Sequence, residues 1–348
     1  MSAVPPPGLT LPDVWYVAAR SKTLRAAPLA VTIQGRPLVL FRGRDGVPAA
    51  FSDRCPHRNV PLSMGTVVKG ELQCQYHGWR FDSKGACTAV PGLVDGEVSL
   101  RSRCAETFAC VEQQGFVWVY TTPNVEASSR PFVFPHFDEA PYSSVVREFL
   151  VAASVHAVVE NTLDVPHTAY LHGGLFRTAQ KSNVIDVVVR RHGTFAEAEF
   201  IGEPAPKGLV GRLLAPGGGV TEHTDRFLLP SIAQVEYRLG TKSHLMATSA
   251  LTPVTDTETR VFVVVTFKLP LPAWLVKPFV APIAGQIFAQ DAVMLKKQTE
   301  QVKRFGGERY TSTELDVLGP QVTRLMKQAA AKEAPPEGVD EHRLRMKT

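Results

Sequence analysis

Two short stretches, Cys55-Pro56-His57-Arg58 and Cys74-Gln75-Tyr76-His77-Gly78-Trp79, restrict this chain more than any other feature. Each offers one thiol and one imidazole, and sixteen residues separate His57 from Cys74. Two loops of this kind can grip one metal centre. Thiolates are soft donors suited to iron–sulfur clusters or zinc, and imidazole suits either, so donor type alone leaves both open. In structural zinc modules, like donors usually come in pairs with two or more residues between the members. Here each loop mixes the types, and a single residue separates Cys55 from His57. The loops lie among short β-prone runs, LAVTI at 29–33, RPLVLFR at 36–42, VPAAFSD at 47–53 and FVWVY at 116–120, divided by Gly, Pro and Asp turns. That spacing predicts a small, mostly antiparallel domain.

A two-iron cluster with two cysteines on one iron and two histidines on the other needs a Cys and a His from each of two loops. The pattern Cys-x-His, x16, Cys-x-x-His meets that need and resembles the Rieske family. The resemblance implies a [2Fe–2S] cluster on Cys55, His57, Cys74 and His77. Respiratory-chain members of the family carry an extra cysteine in each loop; this sequence has none there and resembles the oxygenase type. Cys87, Cys104 and Cys110 sit in β-prone runs and read as core residues.

More than 200 residues follow and hold a second metal pattern. A helix-compatible segment, 151–171, contains His167 and His172 five residues apart, with Gly173-Gly174 turning the chain just beyond. Five is a poor same-face spacing in an unbroken helix. A distortion or helix end between the two would let both rings face one ion. Two histidines and one carboxylate on one face of iron are the signature of non-haem Fe(II) oxygenases.

Asn161, Asp164, His167 and His172 resemble the Asn-x-x-Asp-x-x-His-x4-His motif of Rieske non-haem iron oxygenases. That resemblance implies that His167 and His172 bind mononuclear Fe(II) and that Asn161 supports the motif. It also implies that Asp164 bridges His167 to His77 of a neighbouring subunit, which requires a head-to-tail homotrimer. The family places its carboxylate ligand on a helix near the C-terminus. Here the helical spacing over 278–304, with Ile287 and Phe288 on an apolar face, carries Asp291, the expected third ligand; Glu314 and Asp316 are weaker competitors. The structural alternatives are a helix-capping role for Asp164 and a lysine-paired surface position for Asp291.

The expected fold class is α+β. An all-β Rieske domain with its connector occupies 1–142. A catalytic domain of helix-grip type, an antiparallel sheet flanked by helices, occupies 143–334, and a mobile charged tail 335–348. Runs at 183–191, 194–201, 232–239, 244–254 and 260–268 supply the strands, and Gly217-Gly218-Gly219 reads as a flexible link rather than a phosphate cradle. With no dinucleotide fingerprint in the chain, NAD(P)H electrons are expected to arrive through a separate ferredoxin or flavin reductase. Arg58 and Arg80 are ordinary surface charges or part of a docking patch for such a donor. The implied chemistry is hydroxylation or O-demethylation of an apolar aromatic or alicyclic substrate. The bland alternatives are a Rieske electron carrier without oxygenase activity and a zinc-stabilised binding module.

Composition closes off other classes. Lys+Arg of 38 against Asp+Glu of 33 is too weak and dispersed an excess to signal nucleic-acid binding. Five cysteines, an odd number, do not form a secreted disulfide framework. The opening MSAVPPPGLTLPDVWYV lacks the basic patch and apolar run of an export signal, so a cytoplasmic location is expected. Residues 269–288, with Trp274 and Phe279, are apolar but interrupted by Lys277 and four prolines, which argues against a spanning helix. Buried packing is the expected role of this segment, and a lid or peripheral membrane contact its alternative.

Overall fold

The computed structural model describes residues 11–94, 103–172, 183–204, 221–240, 242–270 and 272–347. Gly173-Gly174, Gly217-Gly218-Gly219 and the Phe279 side chain lie outside the described residues. The chain divides into two compact units within the proline-rich connector, between Val133 and Phe134, somewhat before the boundary expected near 143.

Among the described residues the first unit holds ten strands: β1 (Trp15–Arg20), β2 (Leu29–Ile33), β3 (Arg36–Arg42), β4 (Pro48–Ser52), β5 (Thr66–Val68), β6 (Glu71–Gln73), β7 (Arg80–Phe81), β8 (Cys87–Ala89), β9 (Thr107–Gln113) and β10 (Phe116–Pro123). They form a six-stranded sheet, β1-β10-β9-β4-β3-β2, and a four-stranded sheet, β5-β6-β7-β8, with antiparallel pairing throughout. Strand alternation explains how β3 and β4 serve two cores at once. Leu38, Leu40 and Ala50 pack with Tyr16, Phe108 and Val117 on one side. Val39, Phe41, Ala49 and Phe51 pack on the other with Leu62, Leu72, Phe81 and the two loop cysteines. The Phe41 and Phe51 rings meet edge to face at 5.0 Å. Of the three remaining cysteines, Cys87 is buried and Cys110 half-buried, whereas Cys104 is exposed, a correction to the expectation that all three are core residues.

The second unit is built on an eight-stranded antiparallel sheet of β11 (Ser143–Val151), β12 (Val184–Arg191), β13 (Phe195–Ile201), β14 (Thr221–Leu228), β15 (Ile232–Leu239), β16 (Ser243–Thr255), β17 (Glu258–Lys268) and β18 (Asp340–Lys347). Strands β12 to β17 are a meander of sequential neighbours; β11 joins β17 at one edge and β18 joins β12 at the other. One face, with Val187, Ala198, Phe200, Phe227, Ala233, Leu251, Val261, Val263 and Phe267, is buried in the same core as the helices. Among the described residues these are α1 (Val155–Thr162), α2 (Thr168–Leu171), α3 (Ala273–Arg304) and α4 (Gly319–Ala330). The expected α+β fold is thus observed, the all-β first unit preceding an antiparallel sheet with helices.

Several elements differ from expectation. The helix predicted over 151–171 is broken: β11 ends at Val151, Ser154 caps α1 through a bond from the Ala157 amide (3.2 Å), and α1 stops at Thr162 ahead of Pro166. Strand β14, TEHTDRFL, escapes a search for apolar alternation because its inward positions include Thr221, His223 and Asp225. His223 is held between Glu203 (2.7 Å) and Asp225 (2.9 Å) and stacked by Phe200 and Tyr237, so a polar residue is buried with its partners. Helix α3 begins at Ala273, ahead of the expected 278, which places Pro278 and Pro282 inside it. Trp274 is 72% exposed while Val276 is buried and Phe288 stacks on Phe149 at 5.1 Å, so the segment is only partly packed. Among the described residues no helix is long and apolar enough to cross a membrane.

The tail expected to be mobile is instead the edge strand β18, paired with β12 from Val184↔Lys347 to Arg191↔Asp340. Its charge hid the strand from a search for apolar runs. Backbone pairing supplies most of the attachment, Arg190 and Arg191 meet Glu341 (2.9 Å) and Asp340 (3.3 Å), and Met346 is 3% exposed. Met346→Ala is expected to destabilise the second unit by about 2–5 kcal/mol, read as an earlier urea transition. A loss below about 0.5 kcal/mol, the range of ordinary surface changes, would show that β18 does not hold this edge.

Candidate metal centres

The two Cys/His loops are built alike. In the first, the Cys55 amide bonds to Val60 O (2.9 Å) and the Asn59 amide to Cys55 O (2.9 Å). In the second, the Cys74 amide bonds to Trp79 O (2.8 Å) and the Gly78 amide to Cys74 O (3.0 Å). Each loop therefore closes on residues four and five beyond its cysteine, and each fourth residue is left-handed, Asn59 at φ 62° and Gly78 at φ 70°. Asparagine tolerates that conformation. At the second position glycine also relieves crowding, since Pro91 stands 3.0 Å from where a Cβ would sit.

Both cysteines are buried and free, and the His57 and His77 rings lie 4.5 Å apart. The indole of Trp79 stacks flat on His57 (4.6 Å, 6°), and Tyr76 covers His77 (3.9 Å). Burial pushes the Cys55 thiol up to about 11; the backbone N–H groups of His57 and Arg58 act against this, and the adjacent Cys74 adds to it. Desolvation, assisted by His77 and Arg58, lowers the His57 pKa and favours the neutral, ligating form. His57 Nδ1 is buried without a hydrogen-bond partner, as a metal donor would be. Among the described residues these donors do not form a group with all ligand atoms within 4.8 Å, so they are spread more widely than one ion needs. A two-iron unit suits that spread.

In the second unit His167 immediately precedes α2 and His172 immediately follows it. The Leu171 amide bonds to His167 O (2.8 Å), whereas His172, at φ −107° and ψ 33°, has left the helix. That exit corrects the unfavourable spacing of five and sets the rings edge to face at 5.2 Å. Asp291 comes from α3: its Oδ1 lies 3.5 Å from His167 Nε2 and 3.1 Å from His172 Nε2. Among the described residues His167, His172 and Asp291 are the group whose ligand atoms all lie within 4.8 Å. His172 Nε2 and Asp291 Oδ1 are buried without hydrogen bonds, a costly arrangement that a cation would relieve.

The competitors stand elsewhere: Asp316 is exposed and accepts from the Thr313 amide, and Glu314 is also exposed. Asp164 Oδ2 lies 3.3 Å from His167 Nδ1, within ion-pair range but not aligned as a hydrogen bond, and its side chain is 37% exposed. Asn161 supports it through the backbone, its carbonyl accepting the Asp164 amide (3.4 Å). One neighbour was not foreseen: Gln290 Oε1 lies 2.8 Å from His172 Nδ1. In the first unit, Arg80 pairs with Glu71 (3.6 Å) and Arg58 is exposed.

Burial pulls the His167 imidazolium down, but the carboxylates of Asp164 and Asp291 outweigh it and hold the pKa up at about 9. The cation is therefore favoured below that pH, and a metal ion has to displace its proton. Metal affinity at this site is expected to rise roughly tenfold per pH unit towards pH 9 and level off above it. Chelator competition with Zn(II) across pH 6.5–9.5 checks this, and a flat profile would contradict it.

Residues 14–111 match the Rieske [2Fe-2S] domain family, and residues 151–332, more than half of the chain, match the vanillate O-demethylase oxygenase C-terminal domain family. The chain belongs to the Rieske non-haem iron oxygenases. Its cofactors are accordingly a Rieske [2Fe–2S] cluster and a mononuclear iron. Among relatives of this Rieske oxygenase, the dicamba O-demethylase oxygenase component of Stenotrophomonas maltophilia is 37% identical over 166 residues, 46% of this chain and 47% of that protein. The vanillate O-demethylase oxygenase subunit of Pseudomonas sp. is 32% identical over 164 residues, 46% of this chain and 44% of that one. The chain spans about half the length of the curated relatives it matches. The crystal structure of dicamba monooxygenase bound to dicamba superposes with a TM-score of 0.76 at 25% identity, covering 92% of this chain and 97% of the other.

Proposed function

We propose that this chain is the terminal oxygenase of a multicomponent system. It takes electrons, originating in NAD(P)H, from a separate ferredoxin or flavin reductase. It uses dioxygen to hydroxylate or O-demethylate a largely apolar aromatic or alicyclic substrate. The observation that carries the reading is the convergence of His167, His172 and Asp291 on one point in a chain that also has the paired Cys/His loops. Relatives named as O-demethylases of dicamba and vanillate favour a methyl ether on an aromatic ring.

When bound, the cluster supplies single electrons and the ferrous ion supplies activation of dioxygen. Cys55 and Cys74 hold the cluster as thiolates and His57 and His77 as neutral imidazoles, so loading releases the Cys55 proton that burial retains. His167 and His172 would hold the ion through Nε2, and Asp291 would contribute the one anionic donor. Phe288, one turn before Asp291 on α3 and stacked on Phe149, adds apolar surface beside that carboxylate's stretch of the helix. Asp164 orients His167, and its half-exposed carboxylate is free to receive His77 of a second copy of the chain, which gives electrons a short path in a homotrimer. A cytoplasmic location fits five cysteines that form no disulfide.

The test is oxygen uptake by protein assembled anaerobically with iron and sulfide, using a generic ferredoxin and reductase with vanillate, dicamba and related aromatic ethers. Uptake that requires substrate and releases formaldehyde is expected. Protein that stays silent in the visible and by paramagnetic resonance after dithionite would sink the reading.

A further inference from the structure

His172 is the most enclosed member of the three-residue site, 2% exposed, and both of its ring nitrogens meet side chains of one helix. Nδ1 faces Gln290 Oε1 at 2.8 Å and Nε2 faces Asp291 Oδ1 at 3.1 Å. Gln290 and Asp291 are consecutive on α3, and consecutive helical side chains diverge by about 100°. The pair therefore brackets the imidazole from two sides, which neither residue could do alone.

The chemistry of the two contacts differs. A neutral imidazole carries one N–H, and an amide carbonyl oxygen only accepts. With Oε1 turned to Nδ1, the proton sits on Nδ1 and the Nε2 lone pair faces Asp291. Turning the amide by 180° would present an NH2 donor to Nδ1, shift the proton to Nε2 and aim it at the Asp291 carboxylate. In that second arrangement a proton fills the place of a metal ion. The amide also adds no charge, in contrast with the Asp164 carboxylate beside His167 (3.3 Å).

We propose that Gln290 is a positioning residue that holds His172 in the Nδ1–H tautomer and thereby keeps Nε2 available as a metal donor. The proposal rests on the reading that His172 binds the mononuclear iron. Because the acceptor and not the bulk of the side chain does this, replacements sort by chemistry. Gln290→Met keeps length and volume but replaces the carbonyl with a weak thioether acceptor, and Gln290→Glu keeps an oxygen acceptor.

The experiment is an anaerobic titration with Co(II) alone, followed by its visible d–d absorption, on full-length protein whose Rieske spectrum is at wild-type strength. Gln290→Met is expected to bind roughly 10- to 100-fold more weakly than wild type, the usual cost of losing an outer partner of a metal histidine. Gln290→Glu is expected to bind at least as tightly as wild type. Equal affinity for Gln290→Met and wild type overturns the proposal. Equal weakness of Met and Glu also overturns it, since side-chain packing rather than the acceptor would then be responsible. His172→Ala is the control for the parent reading: if it binds Co(II) like wild type, His172 is not a ligand, and that failure is distinct from the other two.

Discussion

Asp291→Ala is expected to empty the mononuclear site while leaving the cluster in place. Among the described residues Asp291 is the single carboxylate that faces both His167 and His172, at 3.5 and 3.1 Å, and its Oδ1 is buried without a hydrogen bond. Removing it leaves two neutral imidazoles and raises the residual charge at a ferrous ion from one to two positive units. Losing an outer partner of a ligand typically costs roughly 10- to 100-fold in affinity. Loss of an anionic ligand itself should exceed that, and product formation should fall to background. The deletion also removes a carboxylate that pairs with the His167 imidazolium, so the urea transition of the variant serves as the folding control. Iron analysis should fall from three atoms per chain to the two of the cluster, with the visible spectrum unchanged. Retention of the third atom at wild-type affinity would exclude Asp291 and return attention to other acids.

Asp164→Asn has the opposite signature. Both centres should still load, since asparagine keeps an acceptor oxygen beside the far nitrogen of His167, 3.3 Å from Nδ1, and Asp164 is not among the three converging donors. The substitution keeps size and removes the charge that holds the His167 ring and that would bridge to a second copy. Steady-state turnover should drop by about 10- to 100-fold. The loss should appear as slow reoxidation of the reduced cluster in stopped flow after mixing with substrate and oxygen. Because the Asp164 carboxylate also sustains the raised pKa of His167, the pH at which metal affinity levels off should move below about 9 in this variant. Unchanged cluster reoxidation would remove Asp164 from the electron path and leave it a local orienting role.

Much of this architecture is readable from residue spacing. The β-prone runs RPLVLFR and RVFVVVTFK coincide with β3 and most of β17, and the helical spacing that ends before Gly306-Gly307 coincides with the rear of α3. What escaped has physical reasons. Strands β5 to β8 are two or three residues long, too short for alternation to show, and their pairing follows from the loops they connect. Strand β14 hides its inward face behind His223 and Asp225, and β18 is held by backbone bonds and ion pairs more than by apolar content. At the centre, His167, His172 and Asp291 were selected from the histidine motif and a solitary helical acid, and the fold brings them together. Gln290 could not be selected. A neutral amide 118 residues from His172 carries no signal in one sequence that it will meet that ring.

The position of the two prolines in α3 grades the stiffness of the helix along its length. Pro278 and Pro282 each remove a backbone donor, which frees the carbonyls one turn earlier and weakens the ladder over the leading third. From Gly285 to Arg304 no proline interrupts it, and Lys303 ties its far end to Thr257 (3.0 Å). Flexing is consequently cheapest ahead of Pro282, and Asp291 rides on the rigid length behind it.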